Sequence, residues 1–208
     1  MLPMDEALEV RRFWFGKLPL KPEGVSERLA LWFGSDAEEQ QQTDELVRLR
    51  FGALIERAAA GQLLSWADSP RRRLSLILLL DQFPRHVYRG TERAFATDRD
   101  ALALTLSGMQ SAADAALTPV ERIFFYMPLQ HAELRDAQEE AVAAYRRLLN
   151  EAPPDLEPMF ASALESAQLH HSIVVRFGRF PHRNQVLRRP NTAEEAAYLT
   201  DGDHSFGQ

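Results

Sequence analysis

Segments with helical periodicity follow one another along almost the whole sequence, and glycine or proline separates each segment from the next. Their apolar residues recur three or four positions apart, which places those residues on one face of a helix. The start signals agree, because Thr118-Pro119-Val120-Glu121 has the composition of a capping box with proline in the first turn. The pattern predicts helices over residues 4–15, 26–33, 35–60, 97–108, 119–149, 155–177 and 193–199.

Residues 74–80 form the segment whose secondary structure the pattern leaves open. Six of the seven residues are apolar, which suits either a buried strand or a buried helix. Leucines outnumber β-branched residues, and no second strand pattern exists to pair with this one, so we predict a helix that starts at Pro70. We expect Pro84 to end this helix and Pro128 to kink or break a later one. The predicted fold is all-α, with seven to nine helices.

The long helix predicted over residues 35–60 has Ser35 as its expected cap. Its apolar positions recur at helical spacing, and we expect them to face the core. These positions are Leu46, Leu49, Ala53 and Leu54. After the last helix, the polar tail over residues 200–208 is expected to be extended.

Length and charge limit the class of protein. The 208 residues fit a single domain over residues 1–208, and a net charge of −6 argues against general affinity for nucleic acid or anionic membrane. The absence of cysteine excludes disulfide bonds, zinc–thiolate sites and thiol nucleophiles. No stretch reaches the roughly 18 apolar residues of a membrane span, and the acidic first residues are unlike a signal peptide. We therefore expect a cytoplasmic protein that binds neither nucleic acid nor membrane.

Residues 176–184 gather three guanidinium groups, an imidazole and an amide within nine positions. These side chains belong to Arg176, Arg179, His182, Arg183 and Asn184. The charge of Arg176 opposes the dipole at a helix end and needs no ligand there. The other residues lie in the loop beyond, where closely spaced guanidinium groups repel unless carboxylates or a bound anion compensate. The sequence leaves both interpretations open, an anion site or internal salt bridges.

Two other segments carry candidate acid–base groups. Asp81 directly follows the leucine-rich run, so we expect burial that either raises its pKa or requires an arginine partner. Such a carboxylate can act as a general base, although an aspartate that holds an arginine is the simpler interpretation. Around Pro128, a helix break can turn Tyr126, His131 and Glu133 towards a cavity.

His170 shares one predicted helix face with Ile173, Val174 and Phe177 and therefore points inward. The simplest interpretation is a buried, hydrogen-bonded histidine, and the alternative is a catalytic one. Neither this histidine nor the others show the spacing of a metal-binding motif, and we predict no metal and no cofactor.

Dispersed motifs resemble one family over nearly the whole chain. They cover residues 13–16, 50–52, 67–70, 78–85, 88–90, 94–98, 125–129, 131, 133 and 176–184. The chain is similar there to the bacterial DUF924 family, whose members are uncharacterised. The resemblance implies a tetratricopeptide-like array of antiparallel helix pairs and no established activity. His86 and His171 depart from the family pattern, which makes both poor catalytic candidates.

We predict a polar pocket between residues 81–89, 126–133 and 176–184 that binds a small carboxylate- or phosphate-bearing molecule. The predicted ligand-binding residues are Arg85, Tyr126, His170, Arg176, Arg179, Arg183 and Asn184. The predicted acid–base residues for a hydrolytic or isomerising step are His131, Glu133, Asp81 and His182. Two alternatives remain, a helical scaffold whose arginines clamp a peptide carboxylate, and a set of purely structural salt bridges.

Overall fold

The computed structural model describes residues 5–17, 22–34 and 36–200. Within these ranges the chain forms helices and short helical turns and no strand, so the all-α prediction is confirmed. The helices are α1 (Glu6–Phe15), α2 (Pro22–Phe33), α3 (Ala37–Ala59), α4 (Pro70–Ile77), α5 (Phe83–Val87), α6 (Asp98–Gln110), α7 (Pro119–His131), α8 (Arg135–Asn150), α9 (Glu157–Phe177) and α10 (Ala193–Thr200). None of them combines the length and the hydropathy that crossing a bilayer requires.

A π-helical segment, Leu78–Gln82, joins α4 to α5 and makes one continuous helix of the three. The predicted end of this helix at Pro84 is therefore wrong. Pro84 lies in the first turn of α5, and the wider π turn before it accommodates the proline ring. If this helix is counted once, the described residues contain nine helices.

The second proline, Pro128, lies inside α7 without breaking it. Proline removes the N–H that would donate to the carbonyl oxygen of Phe124, and the neighbouring carbonyl oxygen of Phe125 accepts from the Thr105 hydroxyl at 3.0 Å. The chain leaves the helix only after His131, and α8 begins at Arg135. The helical region predicted over residues 119–149 is thus two helices, and they separate after His131 rather than at Pro128.

One apolar core fills the centre of the fold. The Trp14 ring of α1 packs 5.4 Å from the Phe83 ring of α5 and 5.6 Å from the Phe124 ring of α7. The helices α7, α8 and α9 pack on their neighbours in chain order, whereas α4 contacts α1, α6 and α7. The tetratricopeptide-like classification of this packing stays a prediction.

The buried face of α3 differs from the predicted one. Val47, Phe51 and Ile55 point into the core, whereas Leu46 lies outside and Leu49 is 75% exposed. Two apolar rows run along this helix, and the row that contains Phe51 is the buried one. The Phe51 ring packs 5.0 Å from the rings of Phe13 and Phe83. Asp36 caps the helix and accepts from two backbone N–H groups at 2.9 Å. The predicted cap at residue 35 and the tail after residue 200 lie outside the described residues.

Two helical glycines provide a matched test of this packing. A methyl group at Gly108 would lie 2.5 Å from Phe125 Cζ and 2.9 Å from Arg73 Cδ, whereas one at Gly52 would meet no atom within 4 Å. We expect Gly108→Ala to destabilise the protein by about 1–2 kcal/mol, because overpacking outweighs the gain in helix propensity. Gly52→Ala should stabilise it by roughly 0.5–1 kcal/mol. Urea unfolding measures both, and shifts of the same sign would contradict the packing of α6 on α7.

Candidate functional site

The carboxylate of Asp81 is the centre of a buried polar cluster. Asp81 is 0% exposed and lies within the π segment. Its Oδ1 lies 2.7 Å from His131 Nδ1 and 3.4 Å from Arg85 Nη2, and Gln82 donates to Oδ2. Burial by itself raises the pKa of Asp81, but the charges of His131 and Arg85 and the hydrogen bonds outweigh it and hold the pKa well below its usual value. Asp81 is therefore ionised and has the arginine partner that its burial requires.

Asp81 also fixes the tautomer of His131. An ionised carboxylate only accepts hydrogen bonds, so His131 Nδ1 carries a proton and donates it. Burial lowers the pKa of His131 by more than the charge of Asp81 raises it, so the imidazole is neutral at pH 7. The Nε2 atom is then unprotonated and can take up a proton.

Arg183 joins the cluster from the loop that follows α9. It is 4% exposed and donates from Nη1 to the carbonyl oxygen of His131 at 3.0 Å and to Asp98 Oδ2 at 3.4 Å. Its Cζ lies 4.7 Å from the ring centre of Phe95 and 4.5 Å from that of Phe180. Burial lowers the pKa of Arg183 to about 10, which leaves the guanidinium charged.

A cavity of about 240 Å³ opens beside this cluster, and we call it the basic cavity. All three segments of the predicted pocket contribute to its walls, together with α2, α3 and α9. Three arginines and four of the six histidines of the chain line it, namely Arg85, Arg89, Arg183, His86, His131, His170 and His182. Glutamines and one serine complete the polar lining, and no described residue in that lining carries a carboxylate.

Two buried donors at this cavity lack a hydrogen-bond acceptor. The Nε atoms of Arg85 and Arg183 are both inaccessible to solvent and have no acceptor among the described residues. Buried polar groups in native proteins are nearly always hydrogen-bonded, and leaving a donor unpaired costs about 1–3 kcal/mol. An acceptor bound in the cavity would remove that cost.

His170 and His182 face the basic cavity from two different segments. His170 Nδ1 lies 3.2 Å from Gln130 Oε1, and its ring packs 5.3 Å from that of Phe180. Burial and neighbouring positive charge lower the pKa of each histidine to about 3. Both are neutral at pH 7 and can gain a proton if an anion binds next to them. Among the described residues, no three histidine or carboxylate groups are arranged to hold a metal ion.

Three residues predicted to bind the ligand are instead engaged in fastening the C-terminal segment. Arg179 donates from Nε and Nη2 to the two carboxylate oxygens of Glu195, at 2.6 and 2.9 Å. Arg176 donates to Glu194 at 2.7 Å, and Asn184 is fully buried among hydrogen-bonding side chains of its own loop. None of the three lines the basic cavity. The partners of Arg176 and Arg179 come from α10 and become neighbours only in the folded chain, so the sequence alone does not indicate them.

Tyr126 and Glu133 also lie outside the basic cavity. The Tyr126 hydroxyl donates to Asp114, and Glu133 accepts from Arg189 Nη2 and from the backbone N–H of Phe180, each at 2.8 Å. Because α7 continues through its proline, the predicted break that would turn these side chains towards a cavity is absent, and their predicted roles stay predictions. Glu133 is a salt-bridge partner of the C-terminal segment.

Some lining residues escaped the sequence analysis although a signal for them existed. Gln82 lies three positions before the predicted residue Arg85 and Arg89 four positions after it, a spacing typical of one helix face. Ser166 lies one turn before His170 on the same face of α9. Each of these spacings indicates a shared helix face only if the helix boundaries are predicted correctly.

A larger cavity of about 820 Å³ shares His131 and Arg183 with the basic cavity, and we call it the apolar cavity. Its lining is mostly apolar and includes Phe95, Leu102, Leu106, Leu134 and Leu187. Its carboxylates are Glu92, Asp98 and Glu133. The two cavities thus differ in charge, because, among the described residues, arginines without carboxylates line the basic cavity, whereas the apolar cavity combines its three carboxylates with Arg99 and Arg183.

The neutral histidines predict acid sensitivity. In the unfolded chain His170 and His182 bind protons below pH 6.5, whereas in the folded protein they stay neutral down to about pH 3. Unfolding therefore takes up protons, and the free energy of unfolding should decrease as the pH falls from 6.5 to 4.5. Urea unfolding across this range measures the slope. The double variant His170→Gln/His182→Gln should show a smaller slope, and His171→Gln, outside the cavity lining, should keep the original one.

Comparisons with known proteins place the chain in a family. The model of a family described as "Bacterial protein of unknown function (DUF924)" matches residues 10–203. A solved structure, that of a protein of unknown function, ATU0120, from Agrobacterium tumefaciens, is 34% identical to the chain with a TM-score of 0.71. The match covers 95% of this chain and 98% of that one. No curated protein matches the chain. The chain belongs to the DUF924 family.

Proposed function

We propose that this member of the DUF924 family binds a small carboxylate- or phosphate-bearing molecule in the basic cavity. One observation carries the proposal: three arginines and four histidines line the cavity, and none of its described lining residues is acidic, in a chain of net charge −6. Charged residues of one sign gathered in a concave site attract ligands of the opposite sign. Guanidinium groups suit carboxylate and phosphate because they donate charge-assisted hydrogen bonds.

The acidic partners of these arginines lie behind the cavity lining. Asp44 accepts from Arg89 Nε and Nη2 at 2.8 and 3.1 Å and lies 2.8 Å from His86 Nδ1. Asp98 accepts from Arg85 at 3.0 Å. Such contacts hold the guanidinium groups in place before a ligand arrives, so less conformational entropy is lost on binding.

The pair formed by Asp81 and His131 supplies acid–base chemistry at the same cavity. Asp81 orients the ring and holds the proton on Nδ1, and Nε2 is left as the basic nitrogen. A neutral imidazole oriented by a carboxylate is suited to general-base catalysis near neutral pH. In a hydrolytic or isomerising step His131 would move the proton, and Asp81 would position the His131 ring.

The peptide-clamping alternative has less support. It requires arginine and asparagine side chains exposed along a groove, but Arg179 is bound to Glu195 on both oxygens and Asn184 is buried. Arg183 is buried as well. A small ligand held by partly buried arginines and histidines fits these placements better than a peptide terminus.

A charge introduced at Ser166 tests the proposal. Ser166 lines the basic cavity from α9 and is partly exposed, so a longer side chain can be accommodated. Ser166→Glu places a carboxylate among the arginines and should weaken binding of phosphate, sulfate or acetate at least tenfold. Ser166→Gln has nearly the same shape without the charge and should change the affinity by less than threefold. Isothermal titration calorimetry measures each Kd.

Thermal unfolding of both variants accompanies these titrations to show that each is folded. Equal affinity of Ser166→Glu and Ser166→Gln for these anions would contradict binding in the basic cavity. The absence of binding to the unaltered protein for all three anions would contradict the proposed function itself.

Anion binding should also take up protons. A bound anion raises the pKa values of His170 and His182 from about 3, because it stabilises their charged forms. Affinity should therefore increase as the pH falls from 7.5 to 5.5. Sulfate is the suitable probe because its own charge is constant over this range. Titrations in two buffers with different ionisation enthalpies count the protons, and a pH-independent Kd would argue against histidines as ligands.

A further inference from the structure

We propose that the ligand is amphiphilic, with its anionic group in the basic cavity and an apolar chain in the adjoining apolar cavity. This inference rests on the proposed function and extends it to a substrate class. It assigns a role to the larger of the two cavities, which anion binding alone leaves unused.

Shared walls place the two cavities next to each other. His131 and Arg183 line both. A small cavity of about 40 Å³ shares Arg85 and His182 with the basic cavity and Phe95 with the apolar one. The imidazole of the acid–base pair therefore belongs to the wall that the two larger cavities share.

The distribution of charge selects one orientation for a bound molecule. The apolar cavity is lined by three carboxylates, Glu92, Asp98 and Glu133, and by two guanidinium groups, Arg99 and Arg183. It therefore attracts an anionic group less than the basic cavity does. The basic cavity attracts it and has few apolar side chains to contact a hydrocarbon chain. An anion with an apolar chain is complementary to both cavities at once in one orientation, with its charged end in the basic cavity.

The apolar cavity has the features of a small-molecule site. Its volume of about 820 Å³ falls within the range of roughly 300–1,000 Å³ of ligand pockets. Leucines from two elements lie at its surface, Leu106 with 38% and Leu134 with 58% exposure. Neighbouring exposed leucines around a concavity mark a surface that is covered when a ligand is bound.

Homologous series of ligands test the inference. Calorimetric titration of n-alkanoates and n-alkyl phosphates, from two to ten carbons, separates the charged group from the chain. Each methylene transferred from water into the apolar cavity should tighten binding about three- to fourfold. From four to eight carbons this amounts to a gain on the order of one hundredfold. The heat capacity of binding should become more negative with chain length.

One substitution can close the apolar cavity without touching the basic one. Ala103 is exposed on α6 and lines only the apolar cavity, so Ala103→Trp places an indole there without disturbing the core. The variant should bind short anions with unchanged affinity and lose the dependence on chain length. Ala53→Trp makes the same change at an exposed alanine of α3 and should behave like the unaltered protein. Leu106→Trp is a second closing variant in case the first does not fold.

The outcomes distinguish the inference from the proposed function. If short and long members of a series bind equally, the inference is overturned and anion binding stands. Chain-length dependence that persists in both Ala103→Trp and Leu106→Trp also overturns it. If Ser166→Glu leaves octanoate binding unchanged, the charged end is not in the basic cavity and the inference fails. If no member of either series binds, the proposed function fails together with the inference.

Discussion

A buried negative charge at Asp81 imposes the arrangement of the centre of this protein. An isolated carboxylate in an apolar interior is very unfavourable, and folding is possible only if partners compensate its charge there. His131 from α7 and Arg85 from α5 do so, and Arg85 in turn requires Asp98 at the start of α6. Three helices must therefore meet at one point. A hydrophobic residue would fill the same space at lower cost, so stability alone does not account for the charge.

The C-terminal segment depends on a second set of charges. After α9 the chain turns back over the cluster and brings Arg183 into it, and ion pairs between Arg179 and Glu195 and between Arg189 and Glu133 hold it there. These contacts are partly exposed, which makes each of them individually weak, yet several act on one short segment. These ion pairs position the wall of the basic cavity, although none of their residues lines that cavity.

The sequence predicted the helices and the three segments of the site better than the role of individual side chains. Helix starts and ends follow from local rules, as the capping box at Thr118 shows. The helix continues through Pro84 because a π turn precedes the proline, and the residues of that turn give no local signal for it. The sequence also does not indicate which arginines have carboxylate partners, because Glu195 contacts Arg179 only through tertiary packing. Burial of Asp81 was predictable, since it directly follows a run of apolar residues.

The π segment also determines how the two ends of its helix are rotated relative to each other. A π turn contains one residue more than the α turn it replaces, and one residue corresponds to about 100° around the helix axis. The leucines of α4 keep their contacts with the core, while Arg85 and Arg89 emerge on the side where the cavity lies. Loss of that single residue would keep the segment helical and apolar but turn both arginines away from the cavity. Helix content would be preserved, but the contacts of Phe83 with Trp14 and Phe51 would be lost together with the angular alignment between core and site.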